Sequence, residues 1–519
     1  MSHTLVDTLV LKLTALLDQI GATADNHLWL GYSGGMDSEL LAYTLARFRL
    51  THPKTPYQVS LVHVHHGLSR NADAWAAHCR QRAEHYGLNF VLRKVQLELG
   101  PRVSIEAEAR RARYQAIAEL LNPGDILLTA HHQDDQLETL LLALKRGQGP
   151  KGLAAMGQAQ HLAFTSLARI SRADSAPCWQ LRPMLDSSRA QIEQAVASLE
   201  LPYINDESNQ DTQYDRNFLR AEVIPVLKQR WPSIATTASR SAALCAEQQL
   251  LLDEVSAEKL QPLLGRCRFS GVRVLDSAGL KVLSPQWQAQ LLRQFIQMQR
   301  LPLPAQVQLQ QALAQLLDAR EDAQLELSFK GLLLKRYGQQ IYAMAPLPGA
   351  AFQLLDGVGS VEDVAAKNSK LTLSQKQLQA LSQGQSLSVG LTSPWQRLEL
   401  TLADSGPRVA LAQVMAPLMA SLSASQGAKV QVSDVAAAPE LVLGLKGSYR
   451  CQPHNRDKGR ELKKLWHELG VPPWLRDRVP LLMQNGRLLA LAGGFVERSA
   501  LASGAEPGIV LKLVAEATP

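Results

Sequence analysis

The sequence lacks several features that would place it in a broad class at once. Its 519 residues contain no apolar run close to the roughly 20 residues that a membrane helix needs, which argues against a transmembrane protein. Only five cysteines are present and none belongs to a CxxC pair, which argues against a disulfide framework or structural zinc. We therefore expect a cytoplasmic protein with no membrane partner.

The overall composition is that of a globular protein, with 46% hydrophobic and 19% charged residues. The length predicts about two to four domains. A net charge of +7 permits a polyanionic partner but does not by itself identify one. The first 20 residues combine an apolar periodicity with acidic residues, which predicts an amphipathic helix and not a signal peptide.

The first 150 residues alternate between short apolar runs and helical stretches. The runs, which are rich in leucine and β-branched residues, predict strands at 27–32, 59–64, 90–95 and 126–130. Such alternation predicts the α/β class, with a doubly wound parallel sheet.

The rest of the chain predicts two further domains. We expect the α/β domain over residues 1–230, a mostly helical domain over 231–345 and a small mixed α/β domain over 346–519. A hairpin is predicted to close the second domain, and a strand pair is predicted around Asn485-Gly486.

The stretch GYSGGMDSEL, residues 31–40, forms the loop between the first predicted strand and helix. Gly34 and Gly35 lack Cβ atoms, so the backbone can turn sharply and approach a ligand. The following N–H groups and the helix N-terminus favour an anion. Asp37 suits such a place if a cation such as Mg²⁺ lies between its carboxylate and a phosphate.

The loop has neither the Gly-Lys-Ser/Thr of a Walker A motif nor a GxGxxG pattern. The form SGGxDS resembles the PP-loop of ATP pyrophosphatases, which split ATP between its α and β phosphates. This resemblance implies ATP binding by Ser33, Gly34, Gly35, Met36, Asp37 and Ser38. The alternative is a tight strand–helix turn that binds no ligand.

A second cluster, AHHQDDQLET at residues 130–139, follows the fourth predicted strand. In a doubly wound sheet, a topological switch point would bring this cluster beside the first loop. Asp134, Asp135 and Glu138 then need compensating charge, either Mg²⁺ or a cationic substrate. Such carboxylates could clamp an ammonium group and aim it, once deprotonated, at an electrophile.

Histidines near both strand ends raise the alternative of a zinc site. These are His63, His65, His66, His131 and His132. They have neither cysteine partners nor HExxH spacing, so a hydrogen bond or phosphate contact is favoured. We expect His132 to contact the nucleotide.

Several motifs in one order resemble the tRNA(Ile)-lysidine synthetase family. They are SGGMDS, HVHHGL, EAEARRARY, AHHQDDQLETLLLALKRGQGPKGLAAM, RPML and DESNQDTQYDRNFLR, and the similarity returns at 459–482. The resemblance implies an ATP- and Mg²⁺-dependent ligase. Such an enzyme adenylates C2 of the wobble cytidine (position 34) in the CAU anticodon of an isoleucine tRNA, and the ε-amino group of free lysine then displaces AMP.

The resemblance also implies roles for the acidic residues. Asp37, Asp134, Asp135 and Glu138 are the candidate catalytic residues, with Mg²⁺ at Asp37 and Asp134. Asp135 and Glu138 would recognise the lysine. The domains over 231–345 and 346–519 would bind tRNA.

Three segments offer RNA-binding chemistry. The candidates are Arg113 and Tyr114, then Arg216, Asn217 and Arg220, and finally Lys463 and Lys464. Guanidinium, amide and aromatic groups suit an unstacked anticodon loop. Solvated helix faces and an interdomain ion-pair network are the alternatives.

Two other functions compete with the ligase. A tRNA thiolase would need catalytic or cluster-binding cysteines, and the five here are dispersed. A non-catalytic tRNA-binding protein would be expected to carry a degenerate loop, whereas SGGMDS is intact. The sequence leaves open whether the protein is a monomer or a homodimer.

Overall fold

A computed structural model of the chain describes residues 4–52, 57–98, 105–162, 176–207, 211–320, 325–353, 369–392, 395–416 and 437–515. The chain divides into two compact units, Met1–Val255 and Ser256–Pro519. Among the described residues, no helix combines the length and apolarity that crossing a membrane requires.

The first unit alternates strands and helices, as the sequence predicts. Its strands are β1 (Leu28–Gly31), β2 (Val59–His65), β3 (Asn89–Lys94), β4 (Ile126–Leu128), β5 (Ala159–His161) and β6 (Trp179–Leu181). Its helices are α1 (Leu5–Gln19), α2 (Met36–Thr51), α3 (Ala72–His85), α4 (Ile105–Ala118), α5 (Gln133–Lys145), α6 (Pro150–Leu153), α7 (Arg189–Ser198), α8 (Asp215–Phe218), α9 (Ile224–Arg230) and α10 (Ile234–Leu260), which runs past the unit boundary. A π-helical turn, Leu219–Val223, lies between α8 and α9.

The sheet of this unit has the order β3-β2-β1-β4-β6-β5. All neighbouring strands are parallel except the edge pair β5 and β6. Strand β1 pairs with β2 on one side and with β4 on the other, so the strand order reverses there. Ligands of open α/β sheets bind at such a switch point. The prediction of a doubly wound α/β fold is confirmed.

Helices cover both faces of the sheet. Leu28 and Leu30 point into a core with α1, α2 and α7, whereas Trp29 between them joins a smaller core with α4. Strands buried on both faces have continuous apolar sequences, which explains why the runs can be recognised. The predicted amphipathic helix is α1, whose buried residues include Leu9, Leu13 and Leu16.

The second unit is mixed α/β. Its strands are β7 (Leu264–Arg266), β8 (Arg273–Asp276), β9 (Leu325–Phe329), β10 (Leu332–Tyr337), β11 (Gln340–Met344), β12 (Phe352–Gln353), β13 (Lys370–Thr372), β14 (Leu387–Leu391), β15 (Trp395–Ala403), β16 (Val409–Ala410), β17 (Glu440–Val442), β18 (Arg450–Cys451), β19 (Arg460–Glu461), β20 (Leu481–Gln484), β21 (Arg487–Leu491), β22 (Phe495–Val496) and β23 (Gly508–Ala515). Its further helices are α11 (Ser277–Lys281), α12 (Pro285–Met298), α13 (Gln306–Asp318), α14 (Gln375–Ser382), α15 (Leu462–Glu468) and α16 (Pro473–Arg476).

Three five-stranded sheets organise the described part of this unit. One has the order β7-β8-β11-β10-β9 and shares a core with α12 and α13. The other two, β12-β14-β15-β23-β16 and β13-β17-β20-β21-β22, share a second core. The predicted hairpin, with its turn at Lys330-Gly331, is β9 and β10, and β11 adds a third strand to it. The pair at Asn485-Gly486 is β20 and β21. The division into domains at 230 and 345 stays a prediction.

All five cysteines are unpaired. Four of them are buried, and Cys245 on α10 is partly exposed. Cys79 lies behind the loop that follows β1, within 3.5 Å of the His63 ring.

Candidate active site

The loop after β1 turns sharply at Gly34, whose φ of +81° lies in the left-handed region that favours glycine. The hydroxyls of Ser33 and Ser38 are 3.1 Å apart, and Ser38 donates to the Gly35 carbonyl at 2.9 Å. Helix α2 begins at Met36, so its first free N–H groups lie at this loop. The arrangement can bind an anion. That residues 33–38 hold ATP stays a prediction.

A buried polar network lies behind this loop. Glu39, in the first turn of α2, is fully buried. It accepts hydrogen bonds from Arg82 Nε at 2.8 Å and from the Tyr86 hydroxyl at 2.6 Å. The Tyr32 hydroxyl donates to its other oxygen, and burial together with Glu39 raises the pKa of Tyr32. The network joins the end of β1 and the start of α2 to α3.

His132 connects the two predicted clusters. It is the N-cap of α5, where its Nδ1 accepts from the Asp134 N–H at 3.2 Å, while the His132 N–H donates to Asp135 at 2.9 Å. Its Nε2 lies 3.7 Å from an oxygen of Asp37 and 3.6 Å from an oxygen of Asp135. The ring of one buried histidine therefore lies between the acids of the two loops.

Each acidic candidate has a cationic partner. Arg220 Nη2 lies 2.7 Å from Asp135 Oδ1, and Arg220 Nε donates to Glu138 Oε1. Arg189 Nη1 lies 3.2 Å from Asp37. Lys228 forms an ion pair with Asp134. The structure thus brings Asp37, Asp135 and Glu138 together and directs Asp134 towards α9.

Burial and these partners shift the pKa values in different directions. Burial raises the pKa of Asp37, although His132 and Arg189 oppose the rise. Burial also raises the pKa of Glu138 despite Arg220. Burial acts the same way on Asp135, but the neighbouring histidines and Arg220 hold the pKa of that carboxyl below its usual range. Two neighbouring carboxylates with separated pKa values can divide binding and proton transfer between them.

A second network supports the far side of the site. The His131 Nδ1 is 2.9 Å from Thr129 Oγ1, which also accepts from Gln180 Nε2 at 3.0 Å. The Tyr114 hydroxyl accepts from the same amide at 3.3 Å, and Arg182 donates to Gln180 Oε1 at 2.9 Å. Burial lowers the pKa of His131 to about 3, so this ring is neutral near pH 7.

Arg113 lies near the histidines at the end of β2. Burial lowers the pKa of His66 to about 4, with further lowering contributions from Arg113 and His63. Neither ring nitrogen of His66 has a hydrogen-bond partner in the part of the chain that the structure describes. Those described residues also contain no group of three or more His, Cys, Asp or Glu side chains that could hold a metal ion. The described residues therefore offer no set of ligands for the zinc site considered as an alternative.

The remaining RNA candidates occupy different settings. Arg216 lies 3.8 Å from Glu106, and the Asn217 amide donates to the Asp211 carbonyl at 3.0 Å. Lys463 and Lys464 belong to the second unit and are exposed on α15. Their contacts with RNA stay predictions.

Sequence reasoning misses the cationic partners Arg189 and Lys228 and the buried Glu39. Arg189 follows the RPML motif by a few residues, which is the one signal that could draw attention to it. Nothing in the sequence indicates that Lys228 pairs with Asp134, because the two residues are 94 positions apart in the chain.

Three family models match the chain. A PP-loop domain covers residues 6–227, a TilS substrate binding domain covers 275–342, and a TilS substrate C-terminal domain covers 441–513.

Curated relatives are similar over almost the full length. A tRNA(Ile)-lysidine synthase of Shewanella oneidensis is 47% identical over 496 residues, covering 95% of this chain and 96% of the relative. A tRNA(Ile)-lysidine synthase of Escherichia coli O157:H7 is 37% identical over 484 residues, covering 92% and 94%. A solved U34-tRNA thiolase from Methanococcus maripaludis shares 17% identity with a TM-score of 0.34, covering 46% of this chain and 78% of its own. That likeness is too distant to bear on function.

Proposed function

The chain belongs to the tRNA(Ile)-lysidine synthase family, and from that premise we propose how its first unit carries out the reaction. The family makes it an ATP-dependent carbon–nitrogen ligase that forms lysidine on tRNA. The proposal concerns the finer points: which residues take ATP, Mg²⁺, free L-lysine and the anticodon.

The proposed reaction takes place in the cytoplasm and has two steps, adenylation of the tRNA and attack by lysine, at neighbouring sites. ATP at residues 33–38 adenylates O2 of the wobble cytidine in the CAU-anticodon isoleucine tRNA, and pyrophosphate leaves. The ε-amino group of lysine then attacks C2, the C2–O bond breaks, and AMP leaves with that oxygen. The observation that carries the proposal is the position of His132, whose ring lies within 3.7 Å of Asp37 and 3.6 Å of Asp135.

Asp135 and Glu138 are suited to bind an ammonium group, because they present two buried carboxylates one turn apart on α5. The bound ammonium must lose a proton before its nitrogen can attack. Burial raises the pKa of Glu138, which makes it the better proton acceptor of the two. Asp135 keeps its charge and holds the amine in place.

Asp37 fits a Mg²⁺ site, because one or two carboxylates beside phosphate oxygens are a common donor set for this ion. Asp134 would be the second protein ligand and would have to leave its ion pair with Lys228. When bound, Mg²⁺ neutralises phosphate charge and orients the phosphates. His132 lies close enough to Asp37 to contact the nucleotide as well.

For the tRNA, we propose contacts from Arg113, Tyr114, Arg216 and Asn217 in the first unit and from Lys463 and Lys464 in the second. Arg110 lies over the Tyr114 ring at 5.0 Å, so this helix presents an aromatic face together with guanidinium groups. Both groups suit splayed anticodon bases and phosphates.

The test is incubation of the purified protein with ATP, Mg²⁺, labelled lysine and an isoleucine tRNA that carries CAU, followed by nucleoside analysis. We expect labelled lysidine at the wobble position. Asp37→Asn should lower AMP release at least about a hundredfold, because a group at the reacting phosphates is lost. Glu138→Ala should raise the KM for lysine by about tenfold or more, because a charge-assisted contact is lost. It should also slow lysidine formation at saturating lysine, because the proton acceptor is lost.

Glu119→Ala is the matched control, since Glu119 is an exposed acid on the same unit, and its kinetics should equal those of the unaltered protein. Absence of label from every tRNA would contradict the proposal. Equal loss of pyrophosphate release and of lysidine formation in Glu138→Ala would contradict the assignment of the amine site.

A further inference from the structure

The proposed amine site already contains a cation that belongs to the chain. We call Asp135 and Glu138 the acid pair. The guanidinium of Arg220 bridges them, with Nη2 at 2.7 Å from Asp135 Oδ1 and Nε donating to Glu138 Oε1. One positive charge thus faces two buried negative charges.

The acid pair retains an unused acceptor. Glu138 is fully buried, and its Oε2 has no hydrogen-bond partner within the described residues. A buried carboxylate oxygen without a donor is costly, so a site of this kind favours a ligand that brings more donors. An ammonium group has three N–H donors, whereas Arg220 applies one donor to each acid here.

The two acids are much more deeply buried than the guanidinium that pairs with them. Asp135 is held by the His132 N–H within the capping box of α5, and both acids are buried on that helix. The Arg220 side chain is 44% exposed, and it projects from the π-helical turn Leu219–Val223, in which no residue is buried. Turns of this type often occur at functional sites.

We propose that Arg220 is an internal occupant of the amine site, which the ε-ammonium group of the substrate lysine displaces. The inference rests on the proposed function of the acid pair. In the absence of amine, Arg220 keeps two buried carboxylates paired, which avoids the cost of isolated buried charges. In its presence, the two cations compete, so the apparent affinity for lysine is the intrinsic affinity multiplied by the fraction of molecules in which the site is open.

The occupant also selects among amines. A cation that contacts only the acid pair competes poorly with a tethered guanidinium. A substrate that makes further contacts through its other groups gains the binding energy needed to displace Arg220. Arg220 is in this view a positioning residue and a gate.

The test is the KM for lysine of Arg220→Gln, measured at saturating ATP and tRNA. Under these conditions the loss of an RNA contact by Arg220 would change the KM for tRNA and leave the KM for lysine unaffected. We expect the KM for lysine to fall by about tenfold or more, because the competing cation is gone. Arg220→Lys is the matched control, since its side chain still brings a cation to the acid pair, and its KM for lysine should stay near that of the unaltered protein.

An unchanged or higher KM for lysine in Arg220→Gln, with lysidine formed by the unaltered protein, would overturn the inference. If the unaltered protein forms no lysidine, the proposed function fails instead, so the two failures are distinguishable.

A second measurement covers the case in which Arg220→Gln does not fold. The full chain is labelled with ¹⁵N-arginine, and the Arg220 Nε–H resonance is assigned by its loss in Arg220→Lys. We expect this resonance to shift when lysine is added to the protein with the tRNA and a non-hydrolysable ATP analogue. A resonance that does not move at lysine concentrations that saturate lysidine formation would refute displacement.

Discussion

Gly34 is the residue on which the shape of the loop at residues 33–38 depends most directly. Its φ of +81° is strained for any residue with a side chain. A Cβ at this position would also lie 2.5 Å from Ile204 Cδ1 and 2.8 Å from the Cys79 sulfur. Backbone conformation and close packing therefore require glycine independently.

Gly34→Ala should both destabilise the first unit and weaken ATP binding. We expect a loss of about 1–3 kcal/mol in the free energy of unfolding and at least a tenfold weaker ATP affinity, because the loop must shift to relieve the contacts. Urea unfolding and calorimetric titration with ATP measure the two effects.

Gly21→Ala is the control, because Gly21 has a similar φ of +65° but a Cβ added there would meet nothing within 4 Å. It should lose about 1 kcal/mol and bind ATP normally. Equal ATP affinity in the two variants would show that the packing around Gly34 does not shape the site.

At the scale of elements, a buried charge joins α2 to α3. Glu39 in the first turn of α2 is fully buried, and the Arg82 side chain that pairs with it from α3 is 13% exposed. The tyrosines Tyr32 and Tyr86 complete the hydrogen bonds of the carboxylate. The start of α2, and with it the loop, is thereby fixed by a neighbouring helix.

Arg82→Ala should destabilise the first unit by about 3–5 kcal/mol, because it leaves a buried carboxylate without its cation. Urea unfolding followed by circular dichroism measures the change. Arg47→Ala, which removes an exposed guanidinium from α2, should stay within about 0.5 kcal/mol of the unaltered protein. Similar losses in both variants would mean that the buried pair is not what holds α2 to α3.

The sequence predicts a strand or loop where its own residues form a recognisable pattern. Buried strands such as β1 and β4 are continuous apolar runs, and the loops after them contain glycine, serine and acidic residues in an unusual order. Strands β7 and β8 are not predictable in this way, because their sequences, LGR and RVLD, contain glycine and charged residues and form no continuous apolar run.

Ion pairs are the least predictable part of the site. Arg189 and Asp37 are 152 residues apart, and a basic residue in the sequence does not reveal which acid it will meet. The RNA contact of Arg220 stays a prediction, and the sequence does not reveal that Arg220 pairs with Asp135 and Glu138. The type of each residue is informative, but its partner depends on the fold.

At the scale of the whole molecule, the net charge of +7 is consistent with a polyanionic substrate. Binding of tRNA should weaken with increasing salt, because each neutralised phosphate releases counterions. The exposed Lys463 and Lys464 on α15 are candidates for part of that effect.

Lys463→Ala combined with Lys464→Ala should weaken tRNA binding and reduce the slope of log affinity against log salt by about 1 per lost phosphate contact. Filter binding across a salt series measures the slope. Lys12→Ala combined with Lys94→Ala is the control of equal charge, since both lysines pair with aspartates of the first unit. Identical slopes in the two double variants would remove α15 from the RNA-binding surface.

The segment from 216 to 228 is tied to the rest of its unit at three points along its length. Arg216 lies near Glu106, Arg220 bridges the acid pair, and Lys228 pairs with Asp134. Adding or deleting one residue between these points would rotate everything beyond it by about 100° around the helix axis. Related chains should therefore differ here by substitution and keep the same length, even where the flanking loops gain or lose residues.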